Sequence, residues 1–247
     1  MISYLGQTFK ITTTANLETY RGLEVTQNDN GTTTLRQPGL IDKVIRICGL
    51  ETKSNTHLMP ADKILHKNDK INEPRIHTWS YHQVIGILNY KAASTRPDIT
   101  FAIHQCARFS ADPKRHHEIA VQQIVRYLKG SRDKGYILHP TDTPTIDCYT
   151  DADFAASWTS ETLADPSSAY SRSGYIITFA SCPILWTLKI QTETALLTTK
   201  AEYISLSQAL RDLIPLRTVL QEVSKTFGYE FKKQLLIPPH LKTTKVV

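Results

Sequence analysis

Nowhere in the 247 residues do about 20 apolar residues follow one another, so no membrane-crossing helix and no membrane partner is expected. The opening MISYLGQTFK lacks the basic-then-apolar order of a secretory signal. Cysteine is scarce and scattered: Cys48, Cys106, Cys148 and Cys182 form no C-x-x-C pair. That favours buried thiols in a reducing, intracellular setting, cytoplasm or nucleus, over a zinc site or a disulfide frame. The serine-rich DPSSAYSRSG (165–174) holds no G-x-S-x-G elbow, which sets aside a hydrolase triad. His116 and His117 are adjacent, so on a helix they point about 100° apart and cannot chelate one ion well.

What is present is charge, unevenly placed. Of the net +6, residues 1–140 hold 19 Lys and Arg against 12 Asp and Glu, whereas residues 141–247 hold 10 against 11. A basic first part attracts polyanions; a near-neutral second part does not. Between them HPTDTPT (139–145), with two prolines, reads as a linker. An apolar content of 40% can fill the core of one large domain or two ordinary ones.

Residues 9–36 read as short strands, with YRGLEV followed by the turn signal NDNG and then TTTL. GLIDKVIRI (39–47) predicts a short helix ending near Gly49, and residues 51–78, broken by Pro60 and Pro74, predict loop. Three helices are expected next: Tyr81–Ala92, Pro97 to about Phe109, and Pro113–Leu128 with Asp112 as its cap. On the third, His117, Val121, Ile124 and Leu128 share one face. Arg115, Gln122, Arg126 and Lys129 lie nearly opposite, and Arg132 and Lys134 follow in the exit loop. Such a row suits a sugar–phosphate backbone, and it equally suits a solvated helix face.

From residue 145 the pattern changes. TIDCYT, GYIITFA and ILWTLKI predict a three-stranded meander with a turn at SCP (181–183). A long helix follows over 198–223, with an apolar stripe of Leu206, Ala209, Leu213, Leu216, Leu220 and Val223 and a break or kink at Pro215. Asp151 ends the first strand. Glu202 falls on the buried side of the helix, where an unpaired charge is costly. Two readings stand: Thr199-x-x-Glu202 is a capping box, or Glu202 faces Asp151 and shares a divalent cation with it.

Residues 81–138 resemble the segment between polymerase and nuclease in copia-type retrotransposon Pol polyproteins, through IG-L-Y-A--TRPDI-FA and RF--DP---H---A---I-RYLKG. YTDADFA (149–155) is similar to the motif opening that family's ribonuclease H domain, and SGY (173–175) and W--K-Q---AL-TT-AEY (186–203) continue in register. Residues before 81 resemble the end of a reverse transcriptase palm and its thumb. The resemblance implies an α+β chain. Residues 1–60 would be palm end and thumb start, 61–140 a basic helical thumb and connection, and 141–247 an incomplete ribonuclease H-like α/β domain.

It further implies that Asp151 and Glu202 are catalytic and metal-ligating, the first two of the family's Asp-Glu-Asp-Asp set, with Mg²⁺ as cofactor. Asp153 matches a family position that is not catalytic. Lys200, Leu197 and Ile190 depart from the family pattern. The partners implied are an RNA–DNA hybrid or duplex, gripped through Arg115, Arg126, Lys129, Arg132 and Lys134, and the remainder of the polyprotein. The parent activity would be RNA-directed DNA synthesis with cleavage of RNA in hybrids. No Asp-Asp pair occurs, and PPHLKTTKVV ends where the strand bearing the third acid is expected to begin. Asp212 lies about 15 Å along the helix from Glu202, Glu222 about 30 Å, and Asp147 about 13 Å along the strand from Asp151, so none can stand in. The expectation is a catalytically incomplete segment holding Mg²⁺ weakly, with a non-catalytic nucleic-acid-binding remnant or a relic without function as alternatives.

Overall fold

The computed structural model describes residues 18–52, 55–67, 72–142, 144–155, 158, 166–228 and 241–243. The chain is a mixture of helices and two sheets, an α+β arrangement. The strand reading of residues 9–17 lies outside the described residues.

β1 (Thr19–Tyr20), β2 (Leu23–Gln27), β3 (Thr33–Arg36) and β4 (Tyr136–Leu138) form an antiparallel sheet in that order. The β2–β3 turn is built by its side chains. Asn28 donates to the Thr32 and Thr34 hydroxyls at 2.8 and 2.9 Å, and Gly31 takes a φ of +77° that an L side chain resists.

α1 (Pro38–Ile47) starts on proline and buries Ile41, Val44 and Ile45. Its end is a Schellman closure: Gly49, at φ +65°, donates to the Arg46 carbonyl, and Leu50 donates to the Ile45 carbonyl. α2 (Tyr81–Ser94) begins at Ser80, whose hydroxyl accepts from the Gln83 N–H at 3.3 Å. A 3₁₀ turn (Pro97–Ile99) leads into α3 (Thr100–Ala107), and α4 (Arg115–Gly130) follows. Val84, Leu88, Ile99, Ile103, Val121, Ile124 and Leu128 meet in one apolar core.

The start of α4 corrects the expectation at Pro113. Lys114 stays extended because it bridges to Pro74, and the Arg115 N–H donates to the Glu73 carbonyl at 2.8 Å. The helix therefore opens at Arg115, with His117 Nδ1 accepting from the Lys114 N–H, while Asp112 pairs with the Lys114 ammonium instead of capping. Three residues on, Glu118 is fully buried. It accepts from the N–H groups of Ile76 and His77 at 3.1 Å each and from Arg115 at 2.7 Å, with Arg75 3.4 Å away. Burial pushes its carboxyl up, but Arg115 and the two backbone donors outweigh that and hold it below the ordinary glutamate range.

The second sheet runs β7 (Cys182–Ile190), β6 (Arg172–Phe179), β5 (Ile146–Asp153), β8 (Leu241–Thr243). β8 runs parallel to β5 and the other neighbours are antiparallel. The β6–β7 turn sits on Ala180 and Ser181, at φ +48° and +65°, one residue before the expected SCP. A two-residue hairpin loop needs two positive φ values there, which neither side chain favours. Pro183 is accommodated beside the register shift at Ile177 and Thr178.

α5 (Thr198–Phe227) covers one face of this sheet. Its inner line is Ala201, Ser205, Ala209 and Leu213, four residues apart and buried against Cys148, Tyr175 and Ile177. Of the expected stripe, Ala209 and Leu213 lie at the contact and Leu216 and Leu220 pack against it, whereas Val223 is exposed. The helix passes through Pro215 as one element, with that residue on its exposed side. On the sheet's other face the Trp186 Nε1–H donates to the Ala92 carbonyl at 2.8 Å, tying β7 to the end of α2. All four cysteines are free and buried.

Candidate metal centre and nucleic-acid surface

Asp151 lies near the end of β5, directly opposite Gly174 of β6. Alternation turns Thr150 inward toward α5 and Asp151 outward. The Thr150 and Ser205 hydroxyls are 2.8 Å apart, and Ser205 donates to the Asp151 carbonyl at 2.7 Å. This buried serine, one turn beyond Glu202, locks the strand end to the helix start. Gln191 adds a second lock, donating to the Ser173 hydroxyl at 3.0 Å and to the Ala201 carbonyl at 2.9 Å. Neither Ser205 nor Gln191 received a role from sequence. The available signal was a polar residue on the inner line of α5 between Ala201 and Ala209.

Glu202 does not cap α5. Leu197 is the N-cap, no side chain closes that end, and Thr199 is already within the helix. The capping box fails because the helix begins one residue before Thr199, leaving no free end for Glu202 to reach. One Glu202 carboxyl oxygen is instead buried without a hydrogen-bond partner among the described residues. Burial pushes the carboxyl up, and the negative charge of Asp151 pushes it further. The fold thus brings the two acids within electrostatic reach, with one oxygen unsatisfied. Asp212 is spent elsewhere, accepting from the Tyr175 hydroxyl. Among the described residues no group of three or more His, Cys, Asp or Glu could hold a metal ion.

The basic residues are not gathered into one open row. Arg115 is drawn onto Glu118, and Lys129 donates to the carbonyls of Leu50, Glu51 and Thr52 at 2.7, 3.3 and 3.1 Å. Arg132 forks onto Asp42 at 2.8 and 2.7 Å and reaches Asp133 at 3.1 Å. Gln122, expected on the wet face, is buried beside His77. Arg126 and Lys134 form no ion pair among the described residues, and Lys134 is exposed.

No family model and no solved structure matches the chain. Curated relatives do. Over 143 residues, 58% of this chain and 10% of the relative, it is 36% identical to the retrovirus-related Pol polyprotein from transposon TNT 1-94 of Nicotiana tabacum. Over 221 residues, 89% of this chain and 14% of the relative, it is 28% identical to the retrovirus-related Pol polyprotein from transposon RE1 of Arabidopsis thaliana. A stretch of 134 residues, 54% of this chain, is 30% identical to the Secreted RxLR effector protein 161 of Plasmopara viticola and covers 89% of that protein. The chain spans about a tenth to a seventh of the length of the two transposon relatives. Along nearly the whole sequence, then, the chain is similar to the retrovirus-related Pol polyproteins of plant transposons.

Proposed function

We propose that this chain is the part of a copia-type Pol polyprotein joining the end of a reverse transcriptase to a ribonuclease H-like unit. The parent activity is then RNA-directed DNA synthesis with cleavage of RNA in RNA–DNA hybrids. The observation that carries this reading is the Glu202 carboxyl oxygen, buried, without a hydrogen-bond partner and beside a second acid. An unsatisfied carboxylate pair of this kind fits a divalent cation, and Mg²⁺ often takes one or two protein carboxylates with waters and substrate phosphates. Asp151 and Glu202 are the residues that would hold it. Bound there, Mg²⁺ would supply charge stabilisation at a phosphoryl oxygen and an activated water. Ser205 and Gln191 keep the two carboxylates in place by fixing the strand end and the helix start.

Two carboxylates hold such an ion loosely, so this segment alone is expected to bind hybrid without sustained turnover. The basic half supplies the grip, led by Arg126 and Lys134. Arg115, Lys129 and Arg132 would have to exchange internal partners for phosphates. Four free thiols suit an intracellular setting. The test is a hybrid-cleavage assay with Mg²⁺ on this segment and on a longer Pol segment containing further acids. The longer segment should cleave and lose activity at least 100-fold on Asp151→Asn. Multiple turnovers by the short segment, abolished by Asp151→Asn, would overturn the two-acid account.

A further inference from the structure

On the face of the second sheet turned away from α5 lies an open cavity of about 420 Å³. The strand register sets its floor in two rows: Tyr149, Ile176 and Trp186 in one, and Asp151, Gly174 and Leu188 in the next. Phe101 and Thr100, at the start of α3, form the opposite wall. The hollow opens over Gly174. A Cβ there would meet nothing nearer than Leu188 Cδ1 at 3.5 Å, so a larger side chain would grow into the empty space.

Phe101, Tyr149 and Trp186 line this cavity, together with two polar groups that have no hydrogen-bond partner among the described residues. The Thr100 hydroxyl is buried without a hydrogen-bond partner among the described residues. Asp151 accepts from Ser205 through its backbone carbonyl, while its carboxylate has no hydrogen-bond partner among the described residues. An apolar hollow in the roughly 300–1,000 Å³ range, with a few convergent polar groups, is the usual form of a small-ligand site. The polar groups specify the ligand further, because a carboxylate only accepts hydrogen bonds and so selects a ring carrying donors.

We propose that this cavity binds one planar heteroaromatic ring with an exocyclic amine, of the adenine or cytosine kind, stacked on Phe101 with its amine toward Asp151. Such a ring could arrive as a free nucleoside or as an unstacked base of a single strand. The site does not depend on a bound cation, so it is tested apart from the cleavage reading.

The experiment is calorimetric titration of the whole chain, in chelator, with adenosine, cytidine and toluene. Adenosine and cytidine should bind, and toluene, a ring without donors, should bind at least about tenfold more weakly. Phe101→Ala should weaken adenosine binding about tenfold, as loss of one base-stacking ring does. Gly174→Leu should abolish binding while the thermal melt and circular dichroism stay unchanged. Competition by a short oligoadenylate, but not by its abasic counterpart, would identify a strand as the source. Binding of adenosine without such competition would identify a free nucleoside. No adenosine binding at millimolar concentration would overturn the site, and so would an affinity unchanged in both Phe101→Ala and Gly174→Leu.

Discussion

At the scale of single residues, one carboxyl group carries a cost that pH can reveal. The folded chain raises Glu202 above its ordinary value, through burial first and Asp151 second. For an acid, that sign means the fold tolerates the protonated form better than the ionised one. The associated stability is fully present below the unfolded-state value and is lost as pH rises through the raised folded value. Glu202→Gln should therefore stabilise the chain at neutral pH, by up to about 1 kcal/mol, because it removes a charge that burial first and Asp151 second disfavour. The gain should shrink as pH falls into the range where Glu202 protonates. Melting curves of the two proteins at several pH values check this, and a gain independent of pH would remove the Glu202 charge as its cause. Sequence could place Glu202 on the inner side of its helix but could not separate a cap from a ligand. The two differ by where the helix begins, and that is set at Leu197 by the incoming chain rather than by Thr199.

At the scale of elements, what was legible followed periodicity. β5 alternates in burial as its residues predict, and α4 buries His117, Val121, Ile124 and Leu128, the face read from three- and four-residue spacings. What was not legible depended on distant partners. β4 forms because Tyr136–Leu138 finds β3 about a hundred residues earlier in the chain. α4 starts late because a stretch near Pro74 claims Lys114. The same distinction explains the β6–β7 hairpin, which adopts a glycine-type loop without glycine. Ser181 is exposed and sits at φ +65°, a conformation costing an L residue roughly 1 kcal/mol. Ser181→Gly should recover about that amount, visible as a rise in the denaturation midpoint with an unchanged slope. A loss of stability would mean that the weak 3.4 Å contact between the Thr141 and Ser181 hydroxyls outweighs the backbone strain.

At the scale of the whole molecule, three of the five basic residues singled out in the first part of the chain are engaged within the fold. Arg115, Lys129 and Arg132 hold the helices to their loops, so the proposed grip on a polyanion rests first on Arg126 and Lys134. Replacing those two together by Ala should leave the fold intact. It should also lower the slope of log affinity against log salt for duplex DNA by about 1.8, two phosphate contacts at 0.9 each. An unchanged slope would place the nucleic-acid surface elsewhere. Arg115→Ala, by contrast, should lower stability, since it strips a cation from a buried carboxylate.

That carboxylate carries a consequence for how the chain ages and is cut. The stretch from Arg75 to His77 joins no sheet ladder among the described residues, and Glu118 pins it by receiving the N–H groups of Ile76 and His77. A pin made of charge can be withdrawn by acid. Because Glu118 is held below its ordinary range, the pin is in place above the unfolded-state value near pH 4.3 and slips as pH falls through the lowered folded value. Glu118→Gln should mimic that release at neutral pH, leaving the bond after Arg75 open to trypsin while the unaltered chain resists. Mass spectrometry of a timed digest would show it. Equal cutting in both proteins would mean that the neighbouring side chains, not the charge, keep the stretch closed.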